Sequence, residues 1–217
     1  MAKWIIAIDG PAAAGKGTLA RRLAAHLGLP YLDTGLLYRA VGRRMLDRTE
    51  NPADRAAAEQ AALALRPQDM ERSDLRTPDV DAAASTVADV PGVRAALLDF
   101  QRRFGAERGA VLDGRDIGTV IFPRADLKLY VTASPEARAH RRWLELKGRG
   151  VALDPAEVER DIRDRDARDI ARAASPLIAA ADAIHIDTTP LNADAAFAVA
   201  LAAARSRFAL DDSDQVN

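Results

Sequence analysis

Short apolar runs alternate along this chain with longer stretches in which apolar residues recur at helical spacing. Five runs of four or five residues are of strand type, and they cover residues 5–8, 29–32, 110–113, 127–131 and 183–187. The stretches between them repeat apolar residues every three or four positions, as one face of a helix does. Strands that alternate with helices predict an α/β domain with a parallel, doubly wound sheet.

Glycines and prolines mark the ends of the predicted helices. The first helix ends before Gly28, which suits a left-handed C-cap. The second begins with Thr34 as its N-cap and runs to about Arg48, with an apolar face. Pro67 to Pro78 is polar and predicts irregular structure. The predicted helices cover residues 17–27, 34–48, 53–65, 78–88, 91–107, 135–147 and 155–173.

The loop after the first strand has the composition of a phosphate-binding loop. Backbone N–H groups in such a loop and the positive end of the next helix dipole converge on one place, where an anion is stabilised. Gly10 and Gly15 supply conformations that are closed to residues with a Cβ, and Lys16 brings a positive charge to the phosphates. The pattern predicts a P-loop that binds phosphates. Its residues are Gly10, Pro11, Ala12, Ala13, Ala14, Gly15, Lys16, Gly17 and Thr18.

Composition narrows the class of protein. The chain has 217 residues, which suits one domain, and a formal net charge of −1, which gives no basic field for nucleic acid or an anionic membrane. It contains no cysteine, so disulfides, thiolate catalysis and cysteine-ligated metals are excluded. The three histidines lack the spacing of a zinc site. We expect a cytoplasmic, monomeric enzyme without nucleic-acid or membrane partners.

Charged residues follow the carboxyl ends of the predicted strands, where ligands bind in open α/β sheets. Thr18 and Asp113 are candidates for holding Mg²⁺, directly or through water, because Mg²⁺ prefers oxygen ligands and keeps several waters. Arg39 lies near the start of the second helix, where it either shares an anion with the helix N-terminus or is an exposed surface arginine.

Two segments have both a functional and a plain structural interpretation. One predicted helix face carries three arginines at helical spacing, Arg165, Arg168 and Arg172. Their like charges repel unless an anion or carboxylates neutralise them. Asp169 is placed to pair with one of these arginines. The helix is either a lid over polyphosphate or a solvated surface helix. Residues 51–108 are either a substrate-capturing insertion or a simple helical crossover.

Several segments resemble the bacterial cytidylate kinases, within the nucleoside monophosphate kinases. The P-loop ends in G-K-G-T, in which Gly17 follows the lysine, and this ending by itself indicates only the wider group of nucleoside monophosphate kinases. The segment D-G-R-D-I-G-T-V and the last arginine-rich motif are more specific. The matching segments are I-D-G-P-A-A-A-G-K-G-T, L-D-T-G-L-L-Y-R, A-A-A-S-T-V-A, V-R-A-A-L-L, D-G-R-D-I-G-T-V-I-F-P, A-H-R-R and R-D-A-R-D-I-A-R-A-A-S-P-L.

The resemblance implies a P-loop NTPase fold with a central five-stranded parallel sheet flanked by helices, a CMP-binding insertion and a short helical lid. The implied reaction moves a phosphoryl group from ATP, with Mg²⁺, to CMP or dCMP. A related P-loop kinase that acts on UMP or another acceptor is the alternative, and a slow nucleotide-dependent switch is a more distant one. The implied segments are a core of about 1–50, 109–134 and 174–210, an insertion of about 51–108 and a lid of about 135–173.

The resemblance also implies roles for single residues. The catalytic set is Lys16, Arg39, Arg115, Arg165 and Arg172. The substrate-binding set is Thr34, Arg39 and Arg115 for the CMP phosphate, Ser85, Arg94 and Asp116 for cytosine, and Arg165 and Asp169 for the ribose. Thr34 stands where many relatives have serine. The chain departs from the family in its insertion, because only residues 66–74 occupy the place of a longer segment with short strands.

Overall fold

Five parallel strands form one sheet in the computed structural model, which describes residues 3–172 and 175–210. Their order across the sheet is β2-β3-β1-β4-β5. All five predicted strands are confirmed, each within two residues of its predicted bounds, and so is the α/β class. The strands are β1 (Ile5–Asp9), β2 (Tyr31–Asp33), β3 (Ala110–Gly114), β4 (Leu127–Thr132) and β5 (Ile184–Asp187).

The central strand β1 fixes the edge of the sheet at which the P-loop begins. Its last residue, Asp9, is level with Gly114 of β3 on one side and with Tyr130 of β4 on the other. The carboxyl ends of these three strands therefore lie side by side. Ile6 and Ile8 of β1 are fully buried, as expected for a strand covered on both faces.

Eight α-helices connect and flank the strands in the part of the chain that the structure describes. Seven were predicted, and α8 was not: half of its sixteen residues are alanine, so its apolar and polar positions contrast weakly. No helix within residues 3–172 and 175–210 is long and apolar enough to cross a membrane. The helices are α1 (Lys16–Leu27), α2 (Thr34–Asp47), α3 (Arg55–Leu63), α4 (Pro78–Val87), α5 (Pro91–Arg108), α6 (Pro135–Gly148), α7 (Pro155–Ala171) and α8 (Ala193–Phe208).

The chain divides into two compact units. The first comprises Met1–Leu32 and Glu107–Asn217, and its core lies between the sheet and helices α1 and α8. The second comprises Asp33–Ala106, and its core is formed by helices α2 to α5. The apolar face predicted for α2 is confirmed, since Leu37, Val41 and Met45 all lie in this second core.

Ion pairs hold the short segment of residues 66–74 to helix α2. The segment is not fully irregular, because Pro67–Met70 forms one turn of 3₁₀ helix. Asp69 accepts the backbone N–H of Arg66 and pairs with Arg44 of α2 at 2.9 Å. Arg72 pairs with Asp47 at the end of α2. This segment is therefore anchored to α2 by charged side chains.

Two local predictions were wrong. Thr34 is the first residue of α2 and not its N-cap; the N-cap is Asp33, whose carboxylate accepts from Arg76 at 2.8 Å instead of capping the helix. Helix α7 ends at Ala171, because Arg172 has extended backbone angles. Arg168 is exposed whereas Arg172 is buried, so the helical spacing of the three arginines does not give one common face. Residues 173 and 174, at the predicted helix end and core boundary, lie outside the described residues.

Candidate active site

The loop between β1 and α1 has the backbone of a phosphate cradle. Gly10 has φ +146°, and a Cβ there would lie 2.0 Å from the carbonyl oxygen of Val131, so only glycine fits. Gly15 has φ +89° and caps the start of α1. Ala13 adopts a left-handed φ of +58°, a strained conformation that tends to occur at functional sites. The conformations predicted for the two glycines are confirmed.

Lys16 folds back over this loop. Its side chain is buried, and its Nζ donates to the carbonyl oxygen of Pro11 at 2.8 Å. The ammonium group therefore lies at the loop itself rather than in solvent. A positive charge at a loop with this backbone is suited to binding an anion, and the binding of phosphates at this loop stays a prediction.

Asp9, the last residue of β1, fastens a second loop to the P-loop strand. Its two carboxylate oxygens accept the backbone N–H groups of Ile117 and Gly118 at 2.8 and 2.7 Å. These donors lie in a single π-helical turn, Ile117–Ile121, which follows Arg115 and Asp116. Asp9 thus holds the segment that carries two predicted site residues. Sequence analysis assigned no function to Asp9, although the presence of a carboxylate at the end of an apolar strand could have pointed to one.

The ionisation of Asp9 is opposed by its surroundings. Burial raises its pKa to about 6, although the two backbone N–H groups act in the opposite direction. The nearby carboxylate of Asp116 raises the pKa further, and the charge of Lys16 lowers it. The two buried carboxylates, Asp9 and Asp116, and Lys16 therefore form one electrostatic group.

Two arginines converge on one buried carboxylate in the same unit. Asp169 accepts from Nε of Arg115 at 2.8 Å and from Nη2 of Arg172 at 2.6 Å. Burial alone would raise the pKa of Asp169, but the charges of Arg115 and Arg172 outweigh it and hold the pKa below its ordinary value. The charge of Arg165 lowers the pKa as well. The excess of positive charge suits a polyanionic ligand.

Helices α6 and α7 are fastened to the P-loop by an arginine that sequence analysis did not assign. Arg138 of α6 is buried and pairs with both carboxylate oxygens of Asp166 of α7, at 3.0 and 2.6 Å. It also donates to the carbonyl oxygen of Ala12 at 3.3 Å. Ala12 packs with Ile162 of α7 in a small apolar cluster. The helix that carries Asp169 is thus joined to the phosphate loop.

A second unassigned contact reaches the P-loop from the end of β5. The hydroxyl of Thr188 is buried and lies 3.0 Å from the carbonyl oxygen of Ala14. Arg141 of α6 donates to the same hydroxyl at 2.9 Å. Arg138 and Arg141 both belong to the predicted lid segment, and a helical pattern alone gave no sign of their partners.

Two oxygen donors near the start of α1 fit Mg²⁺. Thr18 is exposed in the first turn of α1. Asp113 is the last residue but one of β3, and one of its carboxylate oxygens accepts from the Tyr31 hydroxyl at 2.9 Å. The other oxygen faces α1, since a Cβ on Gly17 would lie 3.7 Å from it. The described residues contain no cluster of three or more metal-ligating side chains. A metal here would therefore need ligands from phosphate or water as well.

The second unit carries the other predicted residues, beginning with Thr34 and Arg39 on α2. Thr34 is buried. The Arg39 side chain is 15% exposed and its Nε donates to Asp81 of α4 at 2.8 Å. The interpretation of Arg39 as an exposed surface arginine is therefore wrong. Asp81 was not singled out by sequence analysis.

Ser85 and Arg94 lie on α4 and α5 of this unit. Ser85 is buried, and α4 approaches α2 closely because Gly42 has no side chain: a Cβ there would lie 2.9 Å from the Ala84 nitrogen. The Arg94 guanidinium lies 5.6 Å from the ring centroid of Tyr38 and donates to the carbonyl oxygen of Ala88. Each of these side chains therefore has a defined place within the unit.

The predicted site residues thus fall into two sets. The first unit brings together the P-loop with Lys16, the strand-end carboxylates and the arginine cluster around Asp169. The second unit brings together the predicted residues of α2, α4 and α5. The first set is Gly10 to Thr18, Asp113, Arg115, Asp116, Arg165, Asp169 and Arg172, and the second is Thr34, Arg39, Ser85 and Arg94.

Several curated proteins that are similar to this chain are described as cytidylate kinases. Cytidylate kinase from Acidiphilium cryptum is 60% identical over 196 residues, covering 90% of this chain and 92% of the relative. Those from Methylocella silvestris and Granulibacter bethesdensis are each 62% identical, over 198 and 193 residues, covering 91% and 89% of this chain and 92% of each relative.

A solved structure shares the fold. The crystal structure of an uncharacterized protein from Eubacterium ventriosum matches with a TM-score of 0.55 and 16% identity, covering 92% of this chain and 96% of that chain. A family model described as Cytidylate kinase matches residues 6–206, which is most of the chain. The chain therefore belongs to the cytidylate kinase family and is a kinase.

Proposed function

We propose that this protein phosphorylates CMP and dCMP to CDP and dCDP with ATP and Mg²⁺. Membership of the cytidylate kinase family supports the acceptor. The structural observation that carries the proposal is the arginine cluster, in which Arg115 and Arg172 share the carboxylate of Asp169 in the unit that holds the P-loop. A site that joins two polyanions needs such fixed positive charge.

The P-loop is the proposed ATP site. The backbone N–H groups of the P-loop, which every residue except Pro11 carries, and the start of α1 would bind the donor phosphates, with Lys16 as the nearby charge. Thr18 and Asp113 would hold Mg²⁺, in part through water. When bound, the metal would neutralise charge on the phosphates and hold them in line for transfer.

The acceptor is bound, in this proposal, by the residues predicted for it. Thr34, Arg39 and Arg115 bind the CMP phosphate, and Arg165 and Asp169 contact the ribose. Ser85, Arg94 and Asp116 contact cytosine. The carboxylate of Asp116 accepts from the cytosine amino group, whereas uracil has a carbonyl oxygen in that position and would leave two acceptors facing each other. Such buried polar mismatches discriminate strongly between substrates.

No general base is required for the reaction. An ionised phosphate oxygen of CMP forms the new bond to the γ-phosphorus of ATP, the bond from that phosphorus to the bridging oxygen breaks, and ADP leaves with the electron pair. Lys16, Arg39, Arg115, Arg165 and Arg172 hold the reactants in line and neutralise the negative charge on the transferring group. This explains why a site without a histidine or cysteine pair is sufficient.

The domain roles belong to the same proposal. We assign CMP binding to an insertion of about residues 51–108, lid closure to about 135–173, and the core to about 1–50, 109–134 and 174–210. Gly150 supports the lid assignment, because its φ is +77° and it follows the last turn of α6. Closure would exclude water and disfavour hydrolysis of ATP. Family membership supports a cytoplasmic location, and we propose a monomer.

An acceptor panel tests the function. ADP release is measured with ATP and Mg²⁺ in the presence of CMP, dCMP, UMP, AMP or no acceptor. We expect fast release with CMP and dCMP alone, because of the two pyrimidine bases in the panel only cytosine presents an amino group to Asp116. Release that is equally fast with UMP would support the alternative acceptor. Release without any acceptor would support a nucleotide-dependent switch and contradict the proposed function.

A further inference from the structure

Arg39 is held in place from two sides within the second unit. On one side, its Nε donates to the Asp81 carboxylate at 2.8 Å, and both side chains are about 15% exposed. On the other side, its Nη1 lies over the first turn of α2, only 2.8 Å from the point that a Cβ on Gly35 would occupy. That point is also 3.0 Å from Oδ1 of Asp33. Asp81 and the missing side chain of Gly35 thus define where the guanidinium lies.

We propose that Asp81 and Gly35 are positioning residues that set the orientation of Arg39 for the acceptor phosphate. The inference rests on the function proposed above, because it takes Arg39 as a contact of the CMP phosphate. Asp81 acts through the Nε–H of Arg39, and Gly35 acts by leaving room for Nη1. Neither residue contacts the substrate in this proposal.

The supporting helices make the arrangement rigid. Asp81 lies on α4, and α4 packs closely on α2 where Gly42 allows contact with the backbone of Ala84. The separation of Asp81 from Arg39 is therefore fixed by helix packing and not by a mobile loop. A long arginine side chain loses rotamer freedom when it is ordered, which costs free energy. Ordering it before the substrate arrives removes that cost from binding and from the transition state.

A purely structural role for Asp81 makes a different prediction. Asp81 lies in the first turn of α4, where a negative charge is favourable to the helix dipole. If that were its only contribution, loss of the charge would affect stability, and the effect on catalysis would not depend on Arg39. The experiment therefore has to connect Asp81 to Arg39.

A double-mutant cycle makes this connection. D81A, R39A and the double variant are compared by kcat/KM for CMP, by KM for ATP and by calorimetric binding of CMP. We expect D81A to lower kcat/KM for CMP by about tenfold or more, because a small misplacement of a binding group is costly, with KM for ATP unchanged. In the R39A background, D81A should have no further effect on CMP.

Two further variants separate orientation from charge. D81N retains an oxygen that accepts from Nε of Arg39, so it should lose clearly less activity than D81A. A helix-dipole role would be lost equally in both variants. G35A places a methyl group against Nη1, and since a flexible guanidinium can move aside, it should weaken CMP binding without a matching loss of stability.

The control is D69A, which removes a comparable ion pair from the same helix. Asp69 pairs with Arg44 of α2 at similar exposure and also caps the 3₁₀ turn, so its loss should cost at least as much stability. We expect kcat/KM for CMP to stay within about twofold in D69A. If wild type turned over CMP but D81A had the same effect with and without Arg39, the inference would be overturned. If wild type did not use CMP, the proposed function would fail instead.

Discussion

At the scale of single residues, Asp9 combines two demands that conflict at neutral pH. Its ionised carboxylate is the acceptor for two backbone N–H groups of the loop after Arg115. The same carboxylate is buried, close to Asp116, and has a pKa of about 6. The protein therefore tolerates a charge that burial disfavours, and the benefit is a fixed loop directly after the predicted site residues Arg115 and Asp116.

This conflict predicts a pH dependence of stability that D9N removes. Since the folded pKa of about 6 lies above the unfolded value of 3.8, the folded state binds more protons at Asp9 between these values. The contribution of Asp9 to the free energy of unfolding is therefore greatest below pH 4. It decreases by about 3 kcal/mol as the pH rises, and this loss is complete above pH 6. The side-chain amide in the D9N variant does not titrate, so the free energy of unfolding of D9N relative to wild type should rise by roughly the same amount between pH 4 and pH 7. Urea unfolding at several pH values measures this difference.

Asp182, whose pKa is shifted in the opposite direction, provides the control. Asp182 accepts a hydrogen bond from Lys128, and this bond holds the pKa of Asp182 below its ordinary value. Its ionised form therefore stabilises the folded state, and D182N should lose stability relative to wild type as the pH rises. A D9N protein whose stability followed wild type at every pH would show that Asp9 does not titrate in this window.

At the scale of elements, the contact between α6 and α7 includes two ion pairs of different burial. Arg138 and Asp166 are 3% and 18% exposed, and the arginine also contacts the P-loop carbonyl of Ala12. Arg163 and Glu136 join the same two helices but are 51% and 61% exposed. Solvent screens the second pair, so only the first should contribute strongly.

We expect D166A to destabilise the protein by about 3 kcal/mol, because it leaves the buried guanidinium of Arg138 without its carboxylate. ATP should bind more weakly as well, since Arg138 contacts the P-loop. E136A, which breaks the exposed pair between the same helices, should cause a much smaller loss. Thermal unfolding and calorimetric titration of ATP provide both measurements. Equal losses in the two variants would contradict the assignment of the buried pair as the stronger connection.

At the scale of the whole molecule, substrates that bind only the folded state should raise its melting temperature. At a ligand concentration of one hundred times Kd, the stabilisation is about 2.7 kcal/mol. For a chain of this length that corresponds to about 5 to 10 °C. The separate sites proposed for ATP and CMP make the two shifts independently testable.

K16A should lose most of the shift caused by ATP with Mg²⁺ and keep the shift caused by CMP. Lys16 lies in the P-loop and has no part in the proposed CMP site. K147A, a lysine substitution on α6 next to Trp143, should keep both shifts. Loss of the CMP shift in K16A would indicate that the two binding sites are not separate.

The sequence by itself determined the strands, most of the helices and the P-loop, because these depend on local patterns. Apolar periodicity identified the five strands and the buried face of α2, and the sharp turn at Gly10 requires a residue without a Cβ. The sequence missed α8, whose many alanines blur the pattern, and misplaced the N-cap at Thr34 by one residue because Asp33 is as good a candidate.

Only the tertiary structure decided which charged side chains are partners when they lie far apart in the sequence. Asp9 bonds to Ile117 and Gly118, more than one hundred positions away, and Arg115 meets Asp169 across 54 positions. With 31 basic and 32 acidic residues, the chain allows far more pairings than local spacing can rank. The choice depends on which groups the sheet order and helix packing bring together, and on which of them are buried strongly enough for a partner to matter.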